Sequence, residues 1–100
     1  MKSKISHIEI SVLGYRSSIK FYDLILSKIG FTRTNCCQEW TAYSDGMTKI
    51  IICPTDERFK EHGFHRKRAG LNHLAFNAST KEEVDKFYND ILVPNSVKVL

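Results

Sequence analysis

Two histidines occur in matching surroundings. His7 lies in the run Ile5-Ser6-His7-Ile8-Glu9-Ile10-Ser11-Val12, and His73 in Leu71-Asn72-His73-Leu74-Ala75-Phe76-Asn77-Ala78. Neutral imidazoles are common ligands of divalent ions. Two can hold one, although an open catalytic site usually takes three protein ligands and keeps positions for substrate. Such an ion chelates neighbouring substrate oxygens and stabilises the charge that builds on them as an enolate or alkoxide. Glu9 follows His7 by two residues, which on an extended strand puts both on one face. It is the candidate third ligand, or a base beside the ion. The competing reading keeps both histidines as hydrogen-bonded sheet residues without metal, and Glu9 as a solvated or paired carboxylate. Trp40 and Tyr43 are candidates for lining a ligand cavity, with aromatic core filling as the alternative. Asn72 stands where it could orient a loop or the adjoining histidine.

The elements that must position these residues follow from periodicity. From Ile5 to Val12, apolar residues alternate with polar His7, Glu9 and Ser11 after an offset at Ser6, the pattern of a strand with one greasy face. Gly14 breaks it. From Ser17 the period changes: Phe21, Tyr22, Ile25, Leu26 and Ile29 recur at three- and four-residue steps, which predicts an amphipathic helix stopped at Gly30. Residues 31–37 and 39–44 read as short strands, Asp45-Gly46 as a tight turn, and residues 48–53 as a buried strand ended by Pro54. Residues 55–70 are polar and mixed in charge, a surface connector closed by Gly70. Then strand and helix recur. Residues 71–78 alternate, Ser79 with Glu82 forms a capping box, and Val84, Phe87, Tyr88, Ile91 and Leu92 keep helical spacing up to Pro94. Residues 97–100 read as the start of a further strand.

The recurrence is a repeat. Offset by the 66 residues that separate His7 from His73, six identities fall among the 22 positions from Ile5 to Leu26: His7, Lys20, Phe21, Tyr22, Ile25 and Leu26 meet His73, Lys86, Phe87, Tyr88, Ile91 and Leu92. Chance supplies roughly one or two at ordinary composition. The register is unbroken, so duplication is the better account. Leu100 corresponds to Thr34, and the second copy therefore stops in its first strand after the helix. The chain reads as a single domain over 1–100, with a first module at 1–54, a connector at 55–70 and a partial second module at 71–100. An uncovered sheet edge invites pairing with another chain, and a homodimer is expected.

Composition narrows the classes. A hydrophobic fraction of 42% and a charged fraction of 26% describe an ordinary globular chain. The longest apolar run, Ile50-Ile51-Ile52-Cys53, is too short to span a bilayer. The first fifteen residues lack the continuous apolar core of a signal peptide, so a cytoplasmic protein is the default. Cys36, Cys37 and Cys53 make no disulfide framework and no zinc pair. The net charge of +4 is not arranged as a stripe with interleaved aromatics. Its one dense cluster, His65-Arg66-Lys67-Arg68, falls in the connector, which argues against nucleic acid as partner.

A tandem βαβββ unit with a histidine in the first strand of each copy and Phe-Tyr on the following helix resembles the vicinal oxygen chelate superfamily. That group includes glyoxalase I, extradiol dioxygenases, fosfomycin-resistance proteins and bleomycin-binding proteins. The resemblance is carried by residues 6–12, residues 17–22 and, most specifically, Gly70-Leu71-Asn72-His73-Leu74-Ala75-Phe76. It implies an α+β fold of tandem βαβββ modules with a curled mixed sheet, the second module incomplete. It also implies a divalent metal (Zn, Ni, Mn or Fe) reached by His7 and His73. In the family a carboxylate from the last strand of the second module normally completes the site, and that strand is missing from this sequence. Glyoxalase I has a further carboxylate in the last strand of the first module. Here that strand, Thr48-Lys49-Ile50-Ile51-Ile52-Cys53, has none, so the resemblance does not extend to glyoxalase I activity. Three functions follow from it. The first is a metal-dependent lyase, isomerase, transferase or dioxygenase acting on a small oxygenated molecule. The second is a metal-free protein that sequesters a small molecule, and the third is a truncated member without activity.

Overall fold

Alternation builds the first strand as the sequence predicts. In β1 (His7–Val12) His7, Glu9 and Ser11 are exposed, while Ile8, Ile10 and Val12 are half-buried. The computed structural model describes residues 1–100. It divides the chain into two units, Met1–Gly63 and Phe64–Leu100, with the boundary inside the expected connector.

In the first unit, α1 (Tyr15–Ser27) begins two residues ahead of the predicted start. The Gly14 carbonyl accepts both the Ser18 amide and the Ser17 hydroxyl, so the first turn closes on backbone rather than on a capping side chain. The helix ends where Gly30 takes φ +93°. That conformation lets the Phe31 amide reach back to the Leu26 carbonyl at 3.0 Å, a closure glycine makes without a Cβ penalty.

Three further strands follow: β2 (Thr32–Cys36), β3 (Thr41–Ser44) and β4 (Lys49–Pro54). They form one open, mixed four-stranded sheet in the order β1-β4-β3-β2. β1 runs parallel to β4, and the other pairs are antiparallel. The predicted Asp45-Gly46 turn joins β3 to β4. Asp45 Oδ1 accepts from the Met47 and Thr48 amides, and Gly46 sits at φ +92°. These amides hold the Asp45 carboxyl below its ordinary pKa. The architecture is α+β, as expected.

Register decides the two faces. Ile8 pairs with Ile50 and Ile10 with Ile52, while Tyr43 and Thr41 sit opposite the same two β4 residues. This is the face α1 covers, because Tyr43 and Thr41 hydrogen-bond to Asp23 and Tyr15 of that helix. Leu26 and Ile52 are fully buried there, and Ile50 nearly so. Each such side chain contributes roughly 1.5–3 kcal/mol relative to an exposed position.

The second unit departs from expectation. Residues 71–78, which alternate in sequence, and residues 97–100 are both expected as strand but belong to none. A strand is stabilised by the ladder beside it. β1 has β4 beside it, whereas residues 71–78 pair with no neighbouring strand. The capping box also shifts by one residue. Thr80, not Ser79, caps α2 (Lys81–Phe87) by accepting from the Glu83 amide, while the Glu83 carboxylate accepts from the Ser79 amide. Past Phe87 the helix widens into one π turn over Tyr88–Leu92. The expected connector carries a 3₁₀ turn at Glu57–His62, capped by Asp56.

Ile52→Ala should cost about 2–5 kcal/mol of unfolding free energy, because it opens a cavity beneath α1. Ile51→Ala, one residue away on the uncovered face and only half-buried, should cost clearly less. Urea titration followed by far-UV circular dichroism measures both.

Candidate functional site

The face of the sheet opposite α1 is where the chemistry-bearing residues gather. β1 contributes His7, Glu9 and Ser11, and the parallel register sets them beside Lys49, Ile51 and Cys53 of β4. The Cys53 thiol lies 3.8 Å from Glu9 Oε2 and 3.5 Å from Ser11 Oγ. It donates in addition toward the Ile10 carbonyl. The sequence reading did not single out Cys53 for this face. The signal lay in the alternation of β4, where Ile50 and Ile52 point inward and Cys53 must point away.

His7 is exposed, with Nδ1 3.3 Å from Ser6 Oγ. Glu9 shares its strand face, as the two-residue spacing requires. In the second unit His73 is exposed and its Nδ1 lies 2.9 Å from Asn72 Oδ1. Asn72 Nδ2 donates to the Arg66 carbonyl at 3.0 Å. Asn72 thus does both things the sequence allowed: it ties the connector and meets its histidine.

Nowhere are three or more His, Cys, Asp or Glu side chains gathered so that they could hold a metal ion. On β1 the donor types suit a divalent ion, an imidazole and a carboxylate on one strand face, but they are two rather than three. The residues do not form a complete metal centre.

The two aromatic candidates are separated by the sheet's registration. Tyr43 is 1% exposed and lies on the helix-covered face. Its hydroxyl donates to Asp23 Oδ1 at 2.8 Å, and Arg33 pairs with the other oxygen of that carboxylate at 3.2 Å. Tyr43 is therefore core and does not line a cavity on the open face. Its β3 segment, Thr41-Ala42-Tyr43-Ser44, has too little polarity contrast for the sequence to show which way the ring points. Trp40 lies in the turn between β2 and β3, where its carbonyl accepts from the Cys37 amide, and it is 45% exposed.

A crystal structure, that of a "putative glyoxalase" from Bacillus halodurans, superposes with a TM-score of 0.86 and 36% sequence identity, covering 92% of this chain and 68% of that one. The chain belongs to the vicinal oxygen chelate superfamily. Among curated proteins, "Uncharacterized protein YqjT" of Bacillus subtilis (strain 168) is 32% identical over 80 residues, which are 80% of this chain. The chain spans 62% of that relative's length. No family model matches the sequence. No helix is long and apolar enough to cross a membrane.

The placement of Tyr43 has a pH signature. Burial, followed by its hydrogen bond to Asp23 and that residue's negative charge, raises the phenol well above its ordinary pKa of 10.0; the nearby Arg33 charge opposes the shift only in part. A raised acid stays neutral in the folded chain where the unfolded chain ionises. Its contribution is complete below pH 10 and is lost progressively as pH rises above it. Tyr43→Phe should flatten the decline in stability above pH 10, measured by urea unfolding at stepped pH.

Proposed function

We propose that the protein binds a small oxygenated molecule against the open face of β1 and β4, with His7 and His73 as imidazole ligands of a divalent ion. Glu9 is a further ligand, or the base beside it. The observation that carries this reading is the uncovered polar stripe of β1. α1 buries the opposite face of the sheet, so the strand has its core on one side, while His7 and Glu9 stand in solvent on the other. Family membership supports the use of that stripe. The equivalence of His7 and His73 in the repeat supports using the two histidines together. Such an ion, when bound, would polarise two neighbouring ligand oxygens and stabilise negative charge on them. Glu9, whose carboxylate lies 3.8 Å from the Cys53 thiol, supplies the acceptor for a proton from the ligand. The second reading, sequestration without an ion, is favoured by the absence of a three-donor cluster. A homodimer formed along β1 or β2, the two edges of the sheet, belongs to this proposal as well.

Metal analysis of the purified chain, with calorimetric titration of Zn, Ni, Mn and Fe(II), separates the readings. Near-stoichiometric uptake that falls at least tenfold in affinity in His7→Ala and in His73→Ala is the expected result. Uptake indifferent to both substitutions, or none, overturns the ion and leaves sequestration. Sedimentation velocity reports the dimer.

A further inference from the structure

Ser6 and Asn72 are equivalent positions of the two copies, each immediately before its histidine. Each also meets that histidine at Nδ1, Ser6 Oγ at 3.3 Å from His7 and Asn72 Oδ1 at 2.9 Å from His73. The repeat has therefore kept a contact as well as a residue. The two contacts differ in what they dictate. A serine hydroxyl both donates and accepts, so Ser6 is compatible with hydrogen on either nitrogen of His7.

Asn72 leaves no such freedom. Its second contact decides which way the amide faces: Nδ2 lies 3.0 Å from the Arg66 carbonyl oxygen, which only accepts. Turning the amide over would set two acceptor oxygens against each other there. Oδ1 consequently faces the imidazole. An amide oxygen cannot donate, so the hydrogen between Oδ1 and Nδ1 belongs to the ring. A neutral imidazole carries hydrogen on one nitrogen and a lone pair on the other. With Nδ1 protonated, the lone pair of His73 is on Nε2.

We propose that Asn72 is a positioning residue that locks neutral His73 in the Nδ1–H tautomer and so presents an unprotonated Nε2 as a ready electron-pair donor. The Arg66 carbonyl is the anchor that makes this lock one-directional, and Ser6 imposes no equivalent choice on His7. The two imidazoles are consequently unlike donors: one is set in advance, and the other adopts whichever tautomer its partner requires. What Nε2 donates to, a divalent ion, rests on the function proposed above; the tautomer itself does not.

Nitrogen-15 imidazole spectra of the full chain, recorded at a pH where the rings are neutral, test the lock directly. His73 should show a protonated Nδ1 and a bare Nε2, while His7 shows averaged shifts. In Asn72→Leu the His73 shifts should move toward an average of both tautomers, with those of His7 unchanged. A wild-type His73 carrying hydrogen on Nε2, or shifts unmoved by Asn72→Leu, overturns the proposal. Because the wild-type spectrum alone can do so, the test survives a variant that folds poorly. Zinc titration forms the second arm, with affinity expected to fall about 10- to 100-fold in Asn72→Leu, the usual cost of losing such an outer partner. A locked tautomer in a chain that takes up no zinc upholds the role of Asn72 and overturns the ion.

Discussion

The parallel pairing of β1 with β4 is the constraint from which the rest of the first unit follows. Side chains alternate across a sheet with a period of two, so a slip of one residue would exchange the faces. It would carry His7 and Glu9 under α1 and send Ile8 and Ile10 into water. Ile50 and Ile52 prevent this. They are buried at the centre of the sheet, each flanked by an isoleucine of β1 on one side and by Tyr43 or Thr41 on the other. The same hydrophobic registration that stabilises the fold thus decides which residues of β1 remain available for chemistry. Arg33, Asp23 and Tyr43 add a polar tie between β2, α1 and β3, which holds the helix over the face it must cover.

Elements whose signals are local were legible in the residues. β1, α1, Gly30 and the Asp45-Gly46 turn each follow from periodicity or from backbone chemistry within a few positions. The placement of His7 with Glu9 was legible for the same reason. What escaped depends on neighbours remote in sequence. Residues 71–78 have a strand's alternation without a strand's ladder, and a pattern cannot report whether its partner is present. Tyr43 was ambiguous because three of its β3 segment's four side chains are small. The cap of α2 was misplaced by one because Ser79 and Thr80 are both competent, and the reach of Glu83 to the Ser79 amide decides between them.

Family membership and function separate at this point. The superfamily accounts for the βαβββ unit and for a histidine leading each copy, but one scaffold hosts several chemistries, and a site must be argued from its own atoms. The two copies share six identical positions over 22 residues and are unequal in geometry. Ile25 and Leu26 lie in a regular α-helix, whereas Ile91 and Leu92 lie in the π turn of the second copy. Leu26 is fully buried; Leu92 is not. Identity of sequence has not kept identity of environment.

Trp40 is the sole tryptophan of the chain, and it sits on a hairpin tip with nearly half its surface in water. Its emission accordingly monitors that tip. A spectroscopist watching indole fluorescence would follow fraying between β2 and β3.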